Sequence, residues 1–347
     1  MTTKGAPLPT GAVIGILGGG QLGRMLAVAA SRLGYRAHIY CPDPQSPAFE
    51  VAAEKTCAAY EDWDALAGFA RTIDVLTFEF ENIPVETVWQ LETLVPVHPS
   101  GAVLYATQDR RTERILLSDL GIPASPFGSI DGPEAIPAVL DHIGGDGIMK
   151  TRKLGYDGKG QTRVRAGDNP QAAWAAIGGS RAILEAVIPF EREVSVVIAR
   201  TMAGATAAYP AVHNTHANHI LARTMAPADI SADLAHSAQQ IAARIADALD
   251  HVGILAVEMF VVAPKDGPPS LIVNEMAPRV HNSGHWTQDG AVTDQVEQHI
   301  RAITGLPLGS AAMCVPRAQM TNIIGEAGAD GPYCADVAAR NGGRLHL

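Results

Sequence analysis

The segment LAVEMFVVAPKDGPPSLIVNEMAPR, residues 255–279, decides the fold class of this chain. It contains two short apolar runs, LAVEMFVV and LIVN, on either side of a turn rich in proline and glycine. Such runs predict two β-strands that pair with each other. Glu258 lies within the first strand, and Glu275 lies at the end of the second, beside Asn274. Because buried acids are costly unless something compensates them, the pattern predicts a binding site.

The two acids are suited to a divalent cation. Carboxylates on adjacent strands supply the oxygen ligands that Mg²⁺ prefers, and a cation held there can bridge triphosphate oxygens. We therefore expect Glu258 and Glu275 to bind Mg²⁺, with Mn²⁺ as an alternative. Arg279, His281 and Asn282 follow directly and add a cation and hydrogen-bonding groups, so we expect the catalytic residues among them. The pattern identifies no general base, for which His281 is only a candidate.

Two further segments fit a nucleotide. Lys150 precedes the glycine-rich sequence GYDGKGQ, residues 155–161, and a lysine beside exposed backbone amides can close over phosphates. As local geometry, a plain hairpin turn fits this loop equally well. The sequence EAVIPFERE, residues 185–193, places two carboxylates around an apolar link, which suits the edge, faces and ribose of a nucleoside. A linker with solvated acids is the alternative for this second segment.

The first glycine-rich turn is GGGQLG, residues 18–23, between a short apolar run and a helical pattern. It fits G-x-G-x-x-G, but a dinucleotide site also needs an acid that ends the second strand, and Asp43 is displaced behind a proline. The pattern therefore disfavours a nicotinamide cofactor. Two alternatives stay open: backbone amides that bind another phosphate or sugar, and a tight turn without a ligand.

Composition excludes several classes of function. The 347-residue chain is 47% hydrophobic, carries a formal net charge of -10 and has no cluster of lysine or arginine, so nucleic acid is not an expected partner. Its 4 cysteines are scattered, which disfavours a disulfide framework or structural metal. The spacing His213-x-x-His216-x-x-His219 lacks partners typical of zinc sites, and we prefer polar loop histidines. We expect no membrane span and no signal peptide, and therefore a cytoplasmic protein.

The pattern along the chain predicts α/β and α+β architecture. Strands that alternate with helices over roughly the first 100 residues predict a doubly wound parallel sheet. Around residues 100–120 the pattern, with the sequence QDRRTERILLSDL, predicts one long charged helix. We expect a flexible leader at residues 1–11, a Rossmann-like domain at 12–108, a linking helix and lid at 109–189, and a C-terminal subdomain at 190–347.

The order of these motifs resembles the ATP-grasp superfamily. Within it, GGGQLGRM, TFEFENI, GYDGKGQ and NEMAPRVHNSGHWTQDGA resemble the 5-(carboxyamino)imidazole ribonucleotide synthase family of purine biosynthesis, from Val13 onward. The resemblance implies a pre-ATP-grasp domain followed by an ATP-grasp domain with a mobile lid subdomain, usually in a homodimer. It also implies ATP-dependent carboxylation of 5-aminoimidazole ribonucleotide by bicarbonate, through carboxyphosphate. A formate-using ATP-grasp ligase, a nicotinamide oxidoreductase and a non-catalytic nucleotide-binding module are the alternatives.

The resemblance also implies which residues bind the substrates. The implied ATP site consists of Arg110, Lys150, Gly155, Tyr156, Asp157, Gly158, Lys159, Gly160, Gln161, Glu185, Ala186, Val187, Ile188, Glu193, His216, Asn274 and Glu275. The implied ribonucleotide site consists of Gln21, Leu22, Glu81 and Asn282. Relatives continue past a segment like residues 344–347 into Y-G-K and R-K-x-G-H motifs that hold the substrate's 5′-phosphate. The phosphate site is therefore not assigned within this sequence.

Overall fold

The computed structural model contains three β-sheets that follow one another along the chain. The structure describes residues 6–155, 158–264, 267–323, 332–340 and 342–346. No helix within these ranges is both long and apolar enough to cross a membrane.

The first sheet is parallel. Its elements are β1 (Val13–Leu17), α1 (Gln21–Arg32), β2 (Arg36–Tyr40), β3 (Glu54–Thr56), α2 (Trp63–Ala70), β4 (Val75–Phe78) and α3 (Val85–Leu91). The strand order is β3-β2-β1-β4. On one face, Leu26 of α1 shares a core with Ile14 and Ile39. On the other face, Phe69 of α2 shares a core with Phe78. Helices thus cover both faces, which confirms the predicted doubly wound parallel sheet.

Two helices lead out of the first sheet, where the sequence predicted one. They are α4 (Gly101–Gln108) and α5 (Arg110–Asp119), and Asp109 between them has an extended backbone. The Asp109 carboxylate accepts a hydrogen bond from the backbone N–H of Arg111 and so caps α5. The prediction of a single long helix was therefore wrong, because aspartate at this position favours a helix start over a helix interior.

The second sheet is antiparallel and smaller. Its elements are β5 (Phe127–Ile130), α6 (Ile136–Ile143), β6 (Asp146–Thr151), β7 (Gln161–Arg165), α7 (Pro170–Ala176) and β8 (Ala182–Ala186). The strand order is β5-β8-β6-β7. Its own core joins Met149, Val164 and Leu184 to Leu140 of α6. Lys150 lies on β6, directly opposite Gln161 of β7, so the hairpin between these strands carries the second glycine-rich loop.

The third sheet carries the carboxylates. Its elements are β9 (Arg192–Arg200), β10 (Thr206–Ala208), β11 (Val212–Ala217), β12 (Ile220–Ala226), α8 (Ala232–Ala248), β13 (Gly253–Val262), β14 (Ser270–Ala277) and β15 (Ala318–Thr321). The remaining described helices are α9 (Thr287–Gly290), α10 (Gln295–Thr304) and α11 (Pro332–Ala339). The strand order is β14-β13-β9-β11-β12-β15, and β10 pairs with β9. The paired strands predicted from the sequence are β13 and β14.

Alternating residues of β9 belong to two different cores. Val194, Val196 and Ile198 pack with helix α8. Val197 and Ala199 point to the opposite face and share a core with residues of α1 and α10. Because both faces of this strand are covered, its side chains are buried almost throughout. A polar side chain of β9 on the same face as Val197 is therefore enclosed between the third sheet and the rest of the protein.

A β-bulge in β14 determines which way Glu275 points. Glu258 of β13 is opposite Glu275, but the next residue, Met259, is opposite Val273, so Asn274 is the extra residue. In a regular strand without a bulge, Glu275 would share a face with Val273, which is buried against α8. The bulge reverses this phase and brings the two acids to one face. The strand also continues to Ala277, so the prediction that Glu275 ends it was wrong.

Candidate active site

A cavity of about 490 Å³ lies where the three sheets meet. It is lined by residues of all three, and most of the predicted ligands are among them. These are Glu81, Arg110, Lys150, Gly155, Gly158, Lys159, Gly160, Gln161, Glu193, His216, Glu258, Asn274, Glu275, Arg279 and His281. Tyr156 and Asp157 lie outside the described residues.

The carboxylate pair forms one wall of the cavity. Burial and the charge of Glu275 raise the pKa of Glu258, because two facing carboxylates resist simultaneous ionisation. Burial also opposes ionisation of Glu275, but Arg110 and Lys150 outweigh it and lower the pKa of Glu275. The Arg110 guanidinium donates a hydrogen bond of 3.0 Å to this carboxylate. The pair therefore presents two carboxylates whose oxygens are the ligand type that suits a divalent cation.

Helix α5 holds the bulge that aims Glu275. Glu113 accepts a hydrogen bond of 2.7 Å from the backbone N–H of Met276, and Arg114 donates to the backbone carbonyl of Asn274. Arg114 also donates to Glu113 at 2.8 Å, and both side chains are buried. The backbone groups freed by the bulge are thus satisfied by side chains. The sequence analysis missed this pair, since nothing in the helix pattern separates a buried charge from an exposed one.

The sequence analysis assigned the Glu185 side chain to a nucleoside, but in the structure this side chain pairs with two cations of the protein. It is 3% exposed, and its carboxylate accepts hydrogen bonds from Lys150 at 2.7 Å and Arg114 at 2.5 Å. Burial disfavours the charged form of Glu185, but Lys150 and Arg114 outweigh this and lower its pKa. The carboxylate therefore ties the second sheet to α5. Glu185, Ala186, Val187 and Ile188 are not among the described residues that line the cavity.

The same face of the third sheet also offers an apolar surface beside an acid. The rings of Phe190 and Phe260 stack with centroids 4.4 Å apart, and both residues line the cavity. Glu193, close by on β9, forms an ion pair with His216 of β11, and its hydrogen bond raises the pKa of His216. The sequence analysis missed Phe260, although it stands two residues after Glu258 on the same strand and so shares its face.

The first glycine-rich turn is already occupied by a side chain of the protein. Glu79, which follows β4, accepts hydrogen bonds from the backbone N–H groups of Gly20 at 2.5 Å and Gly23 at 2.6 Å. A Cβ atom at Gly18 would lie 2.4 Å from the Glu79 Cγ. The carboxylate thus sits at the start of α1, where a bound phosphate would otherwise interact. Of the alternatives left open, the structure supports a turn without a phosphate ligand, and Glu79 is the residue that the sequence analysis missed.

Glu81, which follows β4 of the first sheet, forms an ion pair with Arg279, which follows β14 of the third sheet. Its carboxylate accepts two hydrogen bonds from Arg279, at 2.5 Å and 3.0 Å. Burial opposes ionisation of Glu81, but this guanidinium outweighs it and lowers the pKa of Glu81. Burial and Arg279 also lower the pKa of His281 to about 3, so the imidazole is neutral at physiological pH. Arg279 and His281, both predicted as catalytic, therefore lie together at the cavity edge.

The remaining predicted ribonucleotide ligands lie beside the cavity rather than in its wall. Gln21 lines a neighbouring cavity of about 300 Å³ between α1 and the C-terminal part of the chain, together with Arg24 and His346. Leu22 packs against the hydrophobic core next to α1. The side-chain oxygen of Asn282 is buried and has no hydrogen-bond partner among the described residues. A buried acceptor without a donor is suited to a ligand.

Two protein-family models match this chain, one over the first sheet and one over most of the rest. The family model for the ribonucleotide synthetase pre-ATP-grasp domain matches residues 12–108, and that for the ATP-grasp domain matches residues 115–296. An N5-carboxyaminoimidazole ribonucleotide synthase from Brucella melitensis is 48% identical over 324 residues, which cover 92% of this chain and 87% of the relative.

Solved structures show the same similarity. The N5-carboxyaminoimidazole ribonucleotide synthetase from Thermus thermophilus is 43% identical, with a TM-score of 0.86 over 95% of this chain and 87% of that chain. The Aspergillus clavatus synthase, solved with ADP and 5-aminoimidazole ribonucleotide, is 28% identical, with a TM-score of 0.84 over 95% of this chain and 86% of that chain. The chain therefore belongs to the N5-carboxyaminoimidazole ribonucleotide synthase family of ATP-grasp ligases, as its motifs predicted.

Proposed function

We propose that this protein carboxylates 5-aminoimidazole ribonucleotide with bicarbonate, at the expense of ATP, in purine biosynthesis. The products are N5-carboxyaminoimidazole ribonucleotide, ADP and phosphate. The observation that carries the proposal is the cavity in which Glu258 and Glu275 face Arg110 and Lys150, next to Arg279 and His281. Family membership supplies the substrate class.

The same cavity would hold the nucleotide. Lys150 and Arg110 carry positive charge beside Glu275, which suits the phosphates, and the second glycine-rich loop adds backbone N–H groups. The stacked rings of Phe190 and Phe260 provide an apolar face for adenine, and Glu193 provides an acceptor for the ribose hydroxyls. Glu258 and Glu275 would hold Mg²⁺, which spreads the charge of the transferred phosphoryl group when it is bound.

Bicarbonate needs activation because its leaving group would otherwise be hydroxide. A bicarbonate oxygen attacks the γ-phosphorus, the bond to the bridging oxygen of ADP breaks, and carboxyphosphate forms. The exocyclic amine of the ribonucleotide then attacks the carboxyl carbon, phosphate leaves, and the amine nitrogen loses a proton. Lys150 and Arg110 would neutralise charge on the phosphates, and Arg279, which lines the same cavity, would hold the carboxylate of the intermediate.

Water must be excluded while carboxyphosphate exists, since hydrolysis would consume it. We propose that residues 109–189 contain the lid that closes over the cavity, with the glycine-rich loop as its tip. The domain boundaries at residues 12–108, 109–189 and 190–347, the homodimer and the cytoplasmic location are further proposals that rest on the resemblance to the family.

The experiment measures ADP formation with each acceptor, with and without bicarbonate and Mg²⁺. We expect ADP formation to require Mg²⁺ and to rise strongly when bicarbonate and 5-aminoimidazole ribonucleotide are both present. Glycinamide ribonucleotide with formate is the matched control for another ATP-grasp ligase. Equal stimulation by that pair would overturn the proposed substrates.

A further inference from the structure

Four buried polar side chains cross the third sheet and end at His281. They are Ser195 on β9, Asn214 on β11, Thr224 on β12, and Ser283 in the turn Asn282–Gly284. Ser195, Thr224 and Ser283 are 0% exposed and Asn214 is 3% exposed. This row continues the line of the carboxylates, because Ser195 is directly opposite Glu258 of β13. It therefore lies on the cavity side of the sheet.

The hydrogen bonds in this row all run in one direction. Thr224 donates to the side-chain oxygen of Asn214 at 2.9 Å. The Asn214 amide nitrogen donates to Ser195 Oγ at 2.9 Å, and the Ser195 hydroxyl donates to Ser283 Oγ at 2.9 Å. The direction is set at Asn214, because an amide nitrogen can only donate. Each hydroxyl that accepts one bond is then free to donate the next.

The last member of the row determines the tautomer of His281. Ser283 Oγ lies 2.8 Å from His281 Nδ1, and the backbone N–H of Ser283 also points to this nitrogen, at 3.3 Å. At 3.3 Å the backbone contact is the weaker of the two, and because both groups donate, Nδ1 is an acceptor and carries no proton. With no proton on Nδ1, the imidazole carries its proton on Nε2. This is the atom nearer the carboxylate pair, 3.7 Å from Glu258.

The backbone of His281 is held separately by Gln295. Its side-chain oxygen accepts from the backbone N–H of His281 at 3.0 Å, and its nitrogen donates to the carbonyl of the same residue at 2.7 Å. Gln295 is 0% exposed. The loop is thus anchored whether or not the row is intact, which means that a defect in the row can change the tautomer without releasing the loop.

We propose that Asn214, Ser195 and Ser283 are positioning residues that keep His281 as the Nε2–H tautomer, so that it donates a hydrogen bond to an oxygen of bicarbonate or carboxyphosphate. A ring with its proton on Nε2 has no lone pair there, so His281 does not act as the base that takes the proton from the amine. The inference rests on the proposed function for the identity of the acceptor. The tautomer itself depends only on the hydrogen bonds.

The sharpest test reverses the direction of the row. Asn214→Asp keeps the shape of the side chain but replaces its only donor by an acceptor, so Ser195 must donate to residue 214 instead of to Ser283. Asn169→Asp is the matched control, because the Asn169 oxygen only accepts, from two backbone N–H groups at the start of α7. Long-range ¹H–¹⁵N correlation spectra of protein labelled in histidine, assigned with a His281→Gln variant, report which ring nitrogen carries the proton.

We expect the Nε2–H form in the unsubstituted protein and in Asn169→Asp, and a population of the Nδ1–H form in Asn214→Asp. The same variant should lose at least tenfold in kcat while the Kd of ADP stays within about twofold, because Asn214 is not among the residues that line the cavity. An Nδ1–H form in the unsubstituted protein overturns the proposal, and so does an altered tautomer with normal kcat. If the proposed reaction is absent from every sample, the spectra still decide the tautomer.

A second pair of variants does not depend on the folding of Asn214→Asp. In His281→Gln the amide nitrogen can take the place of Nε2–H, whereas in His281→Asn the shorter amide reaches only the position of Nδ1. Donation from Nε2 therefore predicts that His281→Gln keeps at least tenfold more kcat than His281→Asn. Equal loss in both variants, with the Kd of ADP unchanged, contradicts a donor role for His281.

Discussion

The two glycine-rich segments of this protein look alike in sequence and do opposite things. In residues 18–23 the backbone N–H groups of the turn are taken by the Glu79 carboxylate of the same chain. In residues 155–161 the described glycines line the open cavity, beside Lys150. An acid of the same chain can therefore occupy the amides of a glycine-rich turn and take the place that a ligand would have.

The largest expected effect is at the cavity that the second glycine-rich segment lines. Glu275→Gln removes one charge from the carboxylate pair and should lower ATP turnover more than a hundredfold, which corresponds to about 2.7 kcal/mol of transition-state stabilisation. Thermal unfolding should change little, since Glu275 faces the cavity. Glu86→Gln, an exposed acid in the first turn of α3, is the control for simple loss of charge and should keep normal turnover. Near-normal turnover of Glu275→Gln would refute its role in the site.

A matched pair of glycine substitutions tests the two segments directly. Gly18 and Gly160 both have positive φ, +105 and +69, so alanine is strained at either position. Gly18→Ala also places its Cβ against Glu79 in a closed turn, and we expect a loss of about 2 kcal/mol or more in the free energy of unfolding. Gly160→Ala meets the Thr151 side chain in the open loop, and we expect mainly a rise in KM for ATP, by about tenfold. Denaturant unfolding and steady-state kinetics of both variants separate the outcomes, and a reversed pattern breaks the comparison.

Removing the Glu79 side chain should free the backbone N–H groups of Gly20 and Gly23 for an added anion. Glu79→Ala leaves two backbone N–H groups at the start of α1 without their acceptor, which should lower the free energy of unfolding by about 1–3 kcal/mol. Added sulfate or phosphate should then raise the melting temperature of Glu79→Ala more than that of the unsubstituted protein or of Glu79→Gln. The same salt response in all three proteins would show that the carboxylate does not occupy an anion site.

The smallest expected effect concerns the rim of the open site. Lys153 is exposed, lines the cavity and donates to the Gln108 side chain at 3.1 Å. Lys153→Met should raise KM for ATP by about two- to fourfold at low salt and less at high salt, because solvent screens an exposed charge. Arg36→Met, at an exposed ion pair on the first sheet, serves as the control and should leave KM unchanged. A salt-independent rise would place Lys153 in closer contact with the nucleotide.

Much of the fold follows from local pattern. The parallel N-terminal sheet and the pairing of β13 with β14 were predicted from apolar runs and the turns between them, and the structure confirms both. The break between α4 and α5 was missed, since a capping aspartate inside a charged stretch looks like any other helix residue in a periodic pattern. Local periodicity locates elements better than it locates their ends.

The site divides in a similar way. Sequence motifs identified Lys150, Glu258, Glu275 and Arg279, which the tertiary structure brings to one cavity. They did not reveal Glu113 or the row that ends at His281, because the partners of these residues come from distant parts of the chain. Long-range hydrogen bonds between buried side chains leave no periodic signal.

The sequence by itself determined which residues are available: the acids on two paired strands, the glycine loops and the motif after them. Only the tertiary structure decided their direction and their partners. The extra residue Asn274 turns Glu275 towards Glu258, and it is stable because α5 supplies partners for the backbone groups of the bulge. Likewise, Glu79 binds the backbone N–H groups of the turn at residues 18–23, although the sequence of that turn does not show that they have a partner. The physical reason is the same in both places, since a buried polar group takes the partner that packing brings within reach.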